Sequence, residues 1–277
     1  MTLSIITINY NNRDGLQKTI DSVLSQTWTD FEWIIIDGGS TDGSRELIEK
    51  YQEHFAYWCS EPDKGVYNAM NKGIVKAKGK YLNFMNSGDT FYEANTLQKV
   101  FGEDRKADIL YGDWIEKYHH DECLREIPED KLDETLWHQN ICHQAMFIKK
   151  DLLKDSGYDE SMKLLADWYW NTQMYLSCKS FHKVHVVICR YDMYGMSRED
   201  TPLNVEECNK VMSLYPSYMQ STIRALNNYQ DDRYVRITKE LIESNRFCSF
   251  ITKGTLRFLF LIRLIIKRTA RLCHHKS

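Results

Sequence analysis

Short apolar runs alternate with stretches of helical spacing over the first two hundred residues of this 277-residue chain. Leu3-Ser4-Ile5-Ile6-Thr7-Ile8 predicts a buried strand. After the polar turn Asn9-Tyr10-Asn11-Asn12, the positions Leu16, Ile20, Val23 and Leu24 recur at helical spacing. Phe31 to Asp37 predicts a second strand, dense in Trp and Ile and closed by an acid. The glycine-rich loop Gly38-Gly39-Ser40-Thr41-Asp42-Gly43 offers N-cap residues to a helix carrying Leu47, Ile48 and Tyr51. This strand–helix–strand–helix rhythm belongs to a parallel sheet with both faces covered.

The rhythm continues downstream. Tyr57-Trp58-Cys59 predicts a short strand and Glu61-Pro62-Asp63-Lys64-Gly65 a turn. Val66, Met70, Ile74 and Ala77 mark a helix that stops near Gly79, and Tyr81 to Met85 forms the next strand. A short helix over Leu97 to Phe101 and a strand over Ala107 to Gly112 follow. Residues 114–140 are polar and carry no assignable period. Ala145 to Ile148 predicts a strand, Asp167 to Cys178 an aromatic-rich helix, and Val184 to Tyr191 a further strand. Beyond about Pro202 only helical patterning remains, so residues 1–200 are expected to form one α/β domain and 201–277 a helical extension.

Composition adds little until charge is divided along the chain. With 43% hydrophobic and 27% charged residues the chain is globular in character. The 17 Tyr and 7 Trp fit a sugar or nucleotide pocket, but core packing accounts for them equally well. From Asn245 to the end there are eight Lys or Arg and no acid; removing them from the net −3 leaves −11 for residues 1–244. A protein that wraps nucleic acid spreads its positive charge over the folded body instead, so none is expected as a partner. The basic end interleaves with Phe258 to Ile262 and Leu264 to Ile266, too short a run to span a bilayer. Two readings stay open for residues 250–277: a basic amphipathic helix lying in the inner membrane interface, or a helix packed on the domain. Eight scattered cysteines without a CxxC pair, and a start without a basic n-region, lead to the expectation of a reduced, cytoplasmic protein, peripheral on the inner membrane face under the first of those two readings.

Three acids, Asp37, Asp63 and Asp89, fall at the mouth of the expected sheet, where open α/β folds bind ligands. Asp89 ends the phrase Asn86-Ser87-Gly88-Asp89, and alone it reads as a turn former or as a metal ligand. A hard cation such as Mg²⁺ needs only one or two carboxylates when substrate phosphates complete its shell. A GxGxxG fingerprint after the first strand is missing, which favours a nucleoside diphosphate over a dinucleotide.

The ordered motifs Ser4 to Asn11, Ser22-Val23-Leu24-Ser25-Gln26-Thr27, Asp37 to Ser44, Asp63 to Gly73 and Leu82 to Asp89 resemble the family 2 glycosyltransferases, in particular a bacterial polysaccharide-assembling branch. The resemblance covers roughly residues 3–200. It implies a GT-A fold, that is, a Rossmann-like mixed sheet flanked by helices. It further implies an inverting transfer of sugar from a nucleotide donor, UDP-linked by expectation, to a hydroxyl of a glycan or lipid-linked acceptor.

Position by position, the resemblance places Ile8 and Tyr10 around the nucleotide base and Asp37 near the uracil and ribose. Gly38 stands where many relatives have a second acid. Asp63, Lys72 and Asn86 join the donor side; Lys72 and Lys64 serve either as phosphate partners or as solvated surface. Asp89 matches the last acid of the metal-binding DxD motif, for Mg²⁺ or Mn²⁺, with Ser87 and Gly88 replacing the acids before it. Asp167 matches the catalytic base that opens a helix, with Ala166 replacing the usual Glu; without the resemblance it would read as a helix N-cap. His143 and Gln144 match an acceptor-side strand, where a structural His is the other reading. Two rival functions remain, a nucleotidyltransferase and a non-catalytic nucleotide-sugar-binding scaffold.

Overall fold

The computed structural model describes residues 1–117, 121–192, 202–217, 219–220 and 223. The chain divides into two compact units, Met1–Pro216 and Ser217–Ser277. The proposed membrane segment 250–277 lies outside the described residues. Among the described residues no helix is long and apolar enough to cross a membrane.

The first unit is built on a nine-stranded mixed sheet. Its strands are β1 (Leu3–Asn9), β2 (Phe31–Asp37), β3 (Tyr57–Ser60), β4 (Tyr81–Phe84), β5 (Thr90–Phe91), β6 (Ile109–Lys117), β7 (Glu122–Arg125), β8 (Met146–Lys149) and β9 (Phe181–Asp192). Their order is β3-β2-β1-β4-β8-β6-β9-β5, with β7 hydrogen-bonded to β6. The first four are parallel, β4–β8 and β8–β6 are antiparallel, and β6–β9 is parallel again. The purely parallel sheet expected from the strand–helix rhythm therefore holds for one half only, while the mixed GT-A architecture holds for the whole.

The helices are α1 (Arg13–Leu24), α2 (Ser44–Lys50), α3 (Val66–Lys76), α4 (Thr96–Phe101), α5 (Leu132–His138), α6 (Ala166–Leu176) and α7 (Pro202–Met212). Every residue of β2 from Glu32 to Asp37 is buried, as expected of a strand covered on both faces. Leu16, Ile20 and Val23 of α1 and Met70 and Ile74 of α3 bury the stripes that their spacing predicts. Helix α3 lies close enough on the sheet that a Cβ on Gly73 would sit 2.5 Å from Ile6 Cγ2, so only glycine permits that approach.

Residues 114–140, unassignable from sequence, contain the second half of β6, the edge strand β7 and the short α5. Strand β6 runs on past Gly112 through an irregularity between Tyr111 and Trp114 in its pairing with β9. Such a bulge breaks the alternation on which a sequence reading depends.

Register fixes the site. Asn9 pairs with Asp37 and Asp37 with Ser60, so β1, β2 and β3 end together. The loops that follow them, and the turn after β4, open on one edge of the sheet.

Helix α7 belongs to the first unit and ties down the chain before α6. Lys210 Nζ lies 2.8 Å from Asp159 Oδ2, and that ion pair with the Ser161 hydroxyl holds the Asp159 carboxyl down at about 2. A depressed acid stabilises the fold above its ordinary value of 3.8, and the contribution disappears as pH falls toward 2. Lys210→Met is therefore expected to lower stability at pH 7 by under about 1 kcal/mol, since both side chains are more than a third exposed. Thermal melts from pH 7 to pH 2 should show wild type and variant converging at the acid end.

Candidate active site

The turn after β4 is pinned from two sides. Thr19 of α1 accepts from Gly88 N–H at 3.0 Å, and its hydroxyl oxygen lies 2.8 Å from the Asp89 carbonyl. Asn12 Nδ2 donates to the Ser87 carbonyl, and Ser87 Oγ donates to Asn9 Oδ1 at 2.7 Å. Ser87 and Gly88 thus shape the turn. Gly88 has φ +104°, a conformation that favours glycine.

Asp89 is buried, at 4% exposure. Its Oδ2 accepts from Gln144 Nε2 at 2.5 Å and its Oδ1 from the Asp192 N–H at 3.0 Å. Neither bond is local to its own turn, so the Asx-turn reading does not hold. Burial pushes the Asp89 carboxyl up to about 7, and the two hydrogen bonds only partly oppose this. Among the described residues no group of three His, Cys, Asp or Glu side chains forms a metal cage.

Asp167 sits in the first turn of α6, two residues after the N-cap Leu165. Its carboxylate does not cap the helix; it faces three donors. Oδ1 accepts from the Tyr67 hydroxyl at 2.8 Å, and Oδ2 accepts from Asn140 Nδ2 at 2.6 Å and from His143 Nδ1 at 3.0 Å. Burial, then the Asp167 charge, push the Tyr67 hydroxyl well above its ordinary value, so Tyr67 stays a donor. With Nδ1 directed at Asp167, His143 places its Nε2 2.9 Å from the Asn86 side-chain amide, where a neutral ring accepts from Asn86 Nδ2. Asn86 Oδ1 is buried without a hydrogen-bond partner among the described residues; an amide turned end for end would present it to a protonated Nε2.

One buried side chain aligns the two acids. Asn83 of β4 donates to the carbonyls of Gln144 and Met146, at 2.9 and 2.8 Å, and so holds the single turn His143–Ala145 beside the end of β4. From that turn His143 reaches Asp167 and Gln144 reaches Asp89. The predicted residues Asn86, Asp89, His143, Gln144 and Asp167 are thus joined in one hydrogen-bonded cluster. Sequence reasoning assigned no role to Tyr67 or Asn140, which complete the shell around Asp167. Asn140 fell in the unassignable stretch. Tyr67 was visible only as the aromatic position of the motif Asp63 to Gly73.

The donor-side predictions divide into two groups. Tyr10 is 65% exposed at the strand ends, and Ile8 is half-buried. Asp37 is wholly buried and accepts four internal hydrogen bonds: from Asn9 Nδ2, Ser40 N, Ser40 Oγ and Ser60 Oγ. It clamps the loops together and offers no free edge outward. Asp63 is partly exposed, with Oδ1 accepting from the Gly65 N–H. A Cβ on Gly38 would lie 2.6 Å from Asp63 Oδ2 and 3.1 Å from Tyr10 Cδ2. Glycine at 38 therefore lets the Asp63 carboxylate and the Tyr10 ring close over this position. Lys72 forms an ion pair with Glu61 at 2.8 Å, on the same side.

A family model described as "Glycosyl transferase family 2" matches residues 4–154, more than half of the chain. A PGL/p-HBAD biosynthesis glycosyltransferase of Mycobacterium bovis is 34% identical over 200 residues, covering 69% of this chain and 77% of its own length. The structure of Staphylococcus aureus TarS 1-349 in complex with UDP-GlcNAc aligns with a TM-score of 0.62 at 17% identity, over 87% of this chain and 76% of that one. The mannosyltransferase PcManGT of Pyrobaculum calidifontis, in complex with GDP-Man and Mn²⁺, aligns with a TM-score of 0.58 at 12% identity, over 93% of this chain and 80% of that one. The chain spans 45% of the longer TarS chain. It belongs to glycosyl transferase family 2. It has the GT-A fold and is a glycosyltransferase.

Proposed function

We propose that the protein is an inverting transferase that moves a sugar from a UDP-linked donor to a hydroxyl of a glycan or lipid-linked acceptor in cell-surface glycan assembly. The observation that carries this reading is the Asp167 carboxylate, held by three donors and joined through the His143–Ala145 turn to Asp89 at the strand ends. A base on one side and a diphosphate anchor on the other is what a single in-line displacement needs.

Asp167 accepts the proton of the acceptor hydroxyl as that oxygen attacks the anomeric carbon, and the sugar–phosphate bond breaks on the opposite face. His143 and Tyr67 keep the carboxylate aimed. Tyr10 stacks on the base. Asp63, reaching over Gly38, supplies the acid that relatives place at 38, whereas Asp37 acts on the pocket through the loops it clamps. Lys72 lies on the phosphate side.

Asp89 fits a Mg²⁺ or Mn²⁺ ion shared with the donor. It is a single buried carboxylate with no ion pair among the described residues, and a hard cation completed by phosphate oxygens suits one such acid. A cation held there by Asp89 and the donor's phosphates would supply neutralisation of the charge on the leaving diphosphate.

A thermal-shift panel of UDP, UDP-GlcNAc and GDP-mannose with and without Mn²⁺ tests the reading. UDP and UDP-GlcNAc should raise the melting temperature only with Mn²⁺, and GDP-mannose should have a smaller effect. Asp63→Ala should weaken UDP binding by about 10- to 100-fold, as expected for losing a charged hydrogen bond. Unchanged UDP affinity in Asp63→Ala, or stabilisation that persists in chelator, would count against the donor site described here.

A further inference from the structure

We infer that Glu207, on helix α7 and beyond the segment matched by the family model, is a positioning residue that sets the aim of Asp167. The inference rests on the reading of Asp167 as the base. Glu207 is buried, at 4% exposure, and its carboxylate gathers three successive backbone N–H groups. Oε1 accepts from Lys163 N at 2.6 Å; Oε2 accepts from Leu164 N at 3.0 Å and Leu165 N at 2.8 Å. These residues lead directly into α6, whose first turn holds Asp167.

The contact passes through one peptide unit. The Leu165 N–H that reaches Glu207 and the Leu164 carbonyl belong to the same amide plane, and that carbonyl lies 2.8 Å from the Tyr67 hydroxyl. Tyr67 in turn lies 2.8 Å from Asp167 Oδ1. A tyrosine hydroxyl has a single proton, which either the carboxylate or the carbonyl takes. While Asp167 is ionised the proton points at it. Once Asp167 has accepted the acceptor's proton, the Tyr67 O–H turns to Leu164 and its oxygen can accept from the new carboxylic acid. A carboxylate on the far end of the peptide polarises that carbonyl and makes it a better acceptor. Glu207 thus both fixes the turn and supports the protonated state of the base.

A purely structural role would be to satisfy the N–H groups ahead of α6, and would move stability alone. The test compares Glu207→Gln, Lys210→Met and Asp167→Asn in the full chain. Lys210→Met cuts the neighbouring tether of α7 and serves as the stability control. The first readout needs no substrate: the ring-¹⁵N NMR pattern of His143 shows which nitrogen carries the proton, and Asp167 Oδ2 selects Nδ1. The second is UDP release from UDP-GlcNAc with Mn²⁺, followed against pH.

Glu207→Gln should lose the uniform Nδ1–H tautomer, lower kcat about tenfold or more with donor KM unchanged, and shift the acid limb of the pH profile. Lys210→Met should keep the tautomer and kcat. A Glu207→Gln protein that melts lower yet keeps the wild-type tautomer overturns the inference whatever its turnover. If Asp167→Asn retains full turnover, the base assignment itself has failed. If Asp167→Asn is inactive and Glu207→Gln has wild-type kcat, only the positioning role has failed. Should Glu207→Gln not fold, Glu207→Asp keeps the charge one methylene short and is judged by the same two readouts.

Discussion

Asp167→Asn is expected to lower sugar transfer by about 10²- to 10⁴-fold, the contribution usual for a positioned general base, while UDP binding persists. The substitution keeps the volume of the side chain and removes its capacity to take a proton. Two of its neighbours make the loss specific. His143 Nδ1 at 3.0 Å and Asn140 Nδ2 at 2.6 Å both donate to Oδ2, so an amide must place its own N–H₂ against either those donors or Tyr67. Local rearrangement is therefore expected as well, and the melting temperature should be recorded beside the rate. Steady-state kinetics should show the fall in kcat with little change in donor KM. Wild-type turnover would leave Asp167 a buried structural acid at the start of α6 and would favour the scaffold alternative.

Much of the fold was legible because its elements are simple. β1 and β2 are continuous apolar runs buried on both faces, and α1 and α3 bury the spaced stripes expected of them. Their ends could be located within a residue or two because polar turns bound them. The stretch 114–140 was opaque for local reasons: a bulge in β6, an edge strand β7 that is largely exposed, and a seven-residue α5. A short helix has too few turns to establish a period, and an exposed edge strand has no apolar face to display.

The site was legible in a different way. Asp89, His143, Gln144 and Asp167 stood out through ordered motifs, and the structure brings them within hydrogen-bonding reach of one another or of shared partners. What no motif carried was the support. Tyr67 reaches Asp167 across 100 positions, and Glu207 reaches Leu165 across 42. Asn83 lies in an otherwise apolar strand, and nothing in the run around it points to the His143–Ala145 turn that its amide holds. Contacts of that kind follow from topology, and periodicity along the chain contains no trace of them. Asp37 shows the converse: a strand-end acid that sequence places at the nucleotide has every contact turned inward, and the partly exposed Asp63 occupies the space that Gly38 leaves.

Asp89→Asn should abolish the Mn²⁺-dependent part of UDP binding and lower turnover by about 10²- to 10³-fold, comparable to losing one strong stabiliser of transition-state charge. The reasoning starts from what surrounds the acid. Two hydrogen bonds, from Gln144 and the Asp192 N–H, leave the carboxylate short of compensation, and burial pushes its carboxyl up to about 7. A structural acid in a core would be matched by an arginine, a lysine or a fuller set of hydrogen-bond donors, as Asp37 is by four and Glu207 by three. Asp89 has neither, which is the arrangement of a charge completed by a cation and its phosphate ligands. Isothermal titration of UDP with and without Mn²⁺ checks this directly. In wild type the ion should tighten UDP binding; in Asp89→Asn the two titrations should coincide. A variant that melts lower but retains the full Mn²⁺ effect would mean that the ion binds elsewhere and that Asp89 serves only to hold Gln144. Because Ser87 and Gly88 shape the turn, no neighbouring acid of the motif can substitute for it, and a conservative Asp89→Glu change should rescue little: one more methylene moves the carboxylate away from the Gln144 Nε2 and Asp192 N–H donors that aim it.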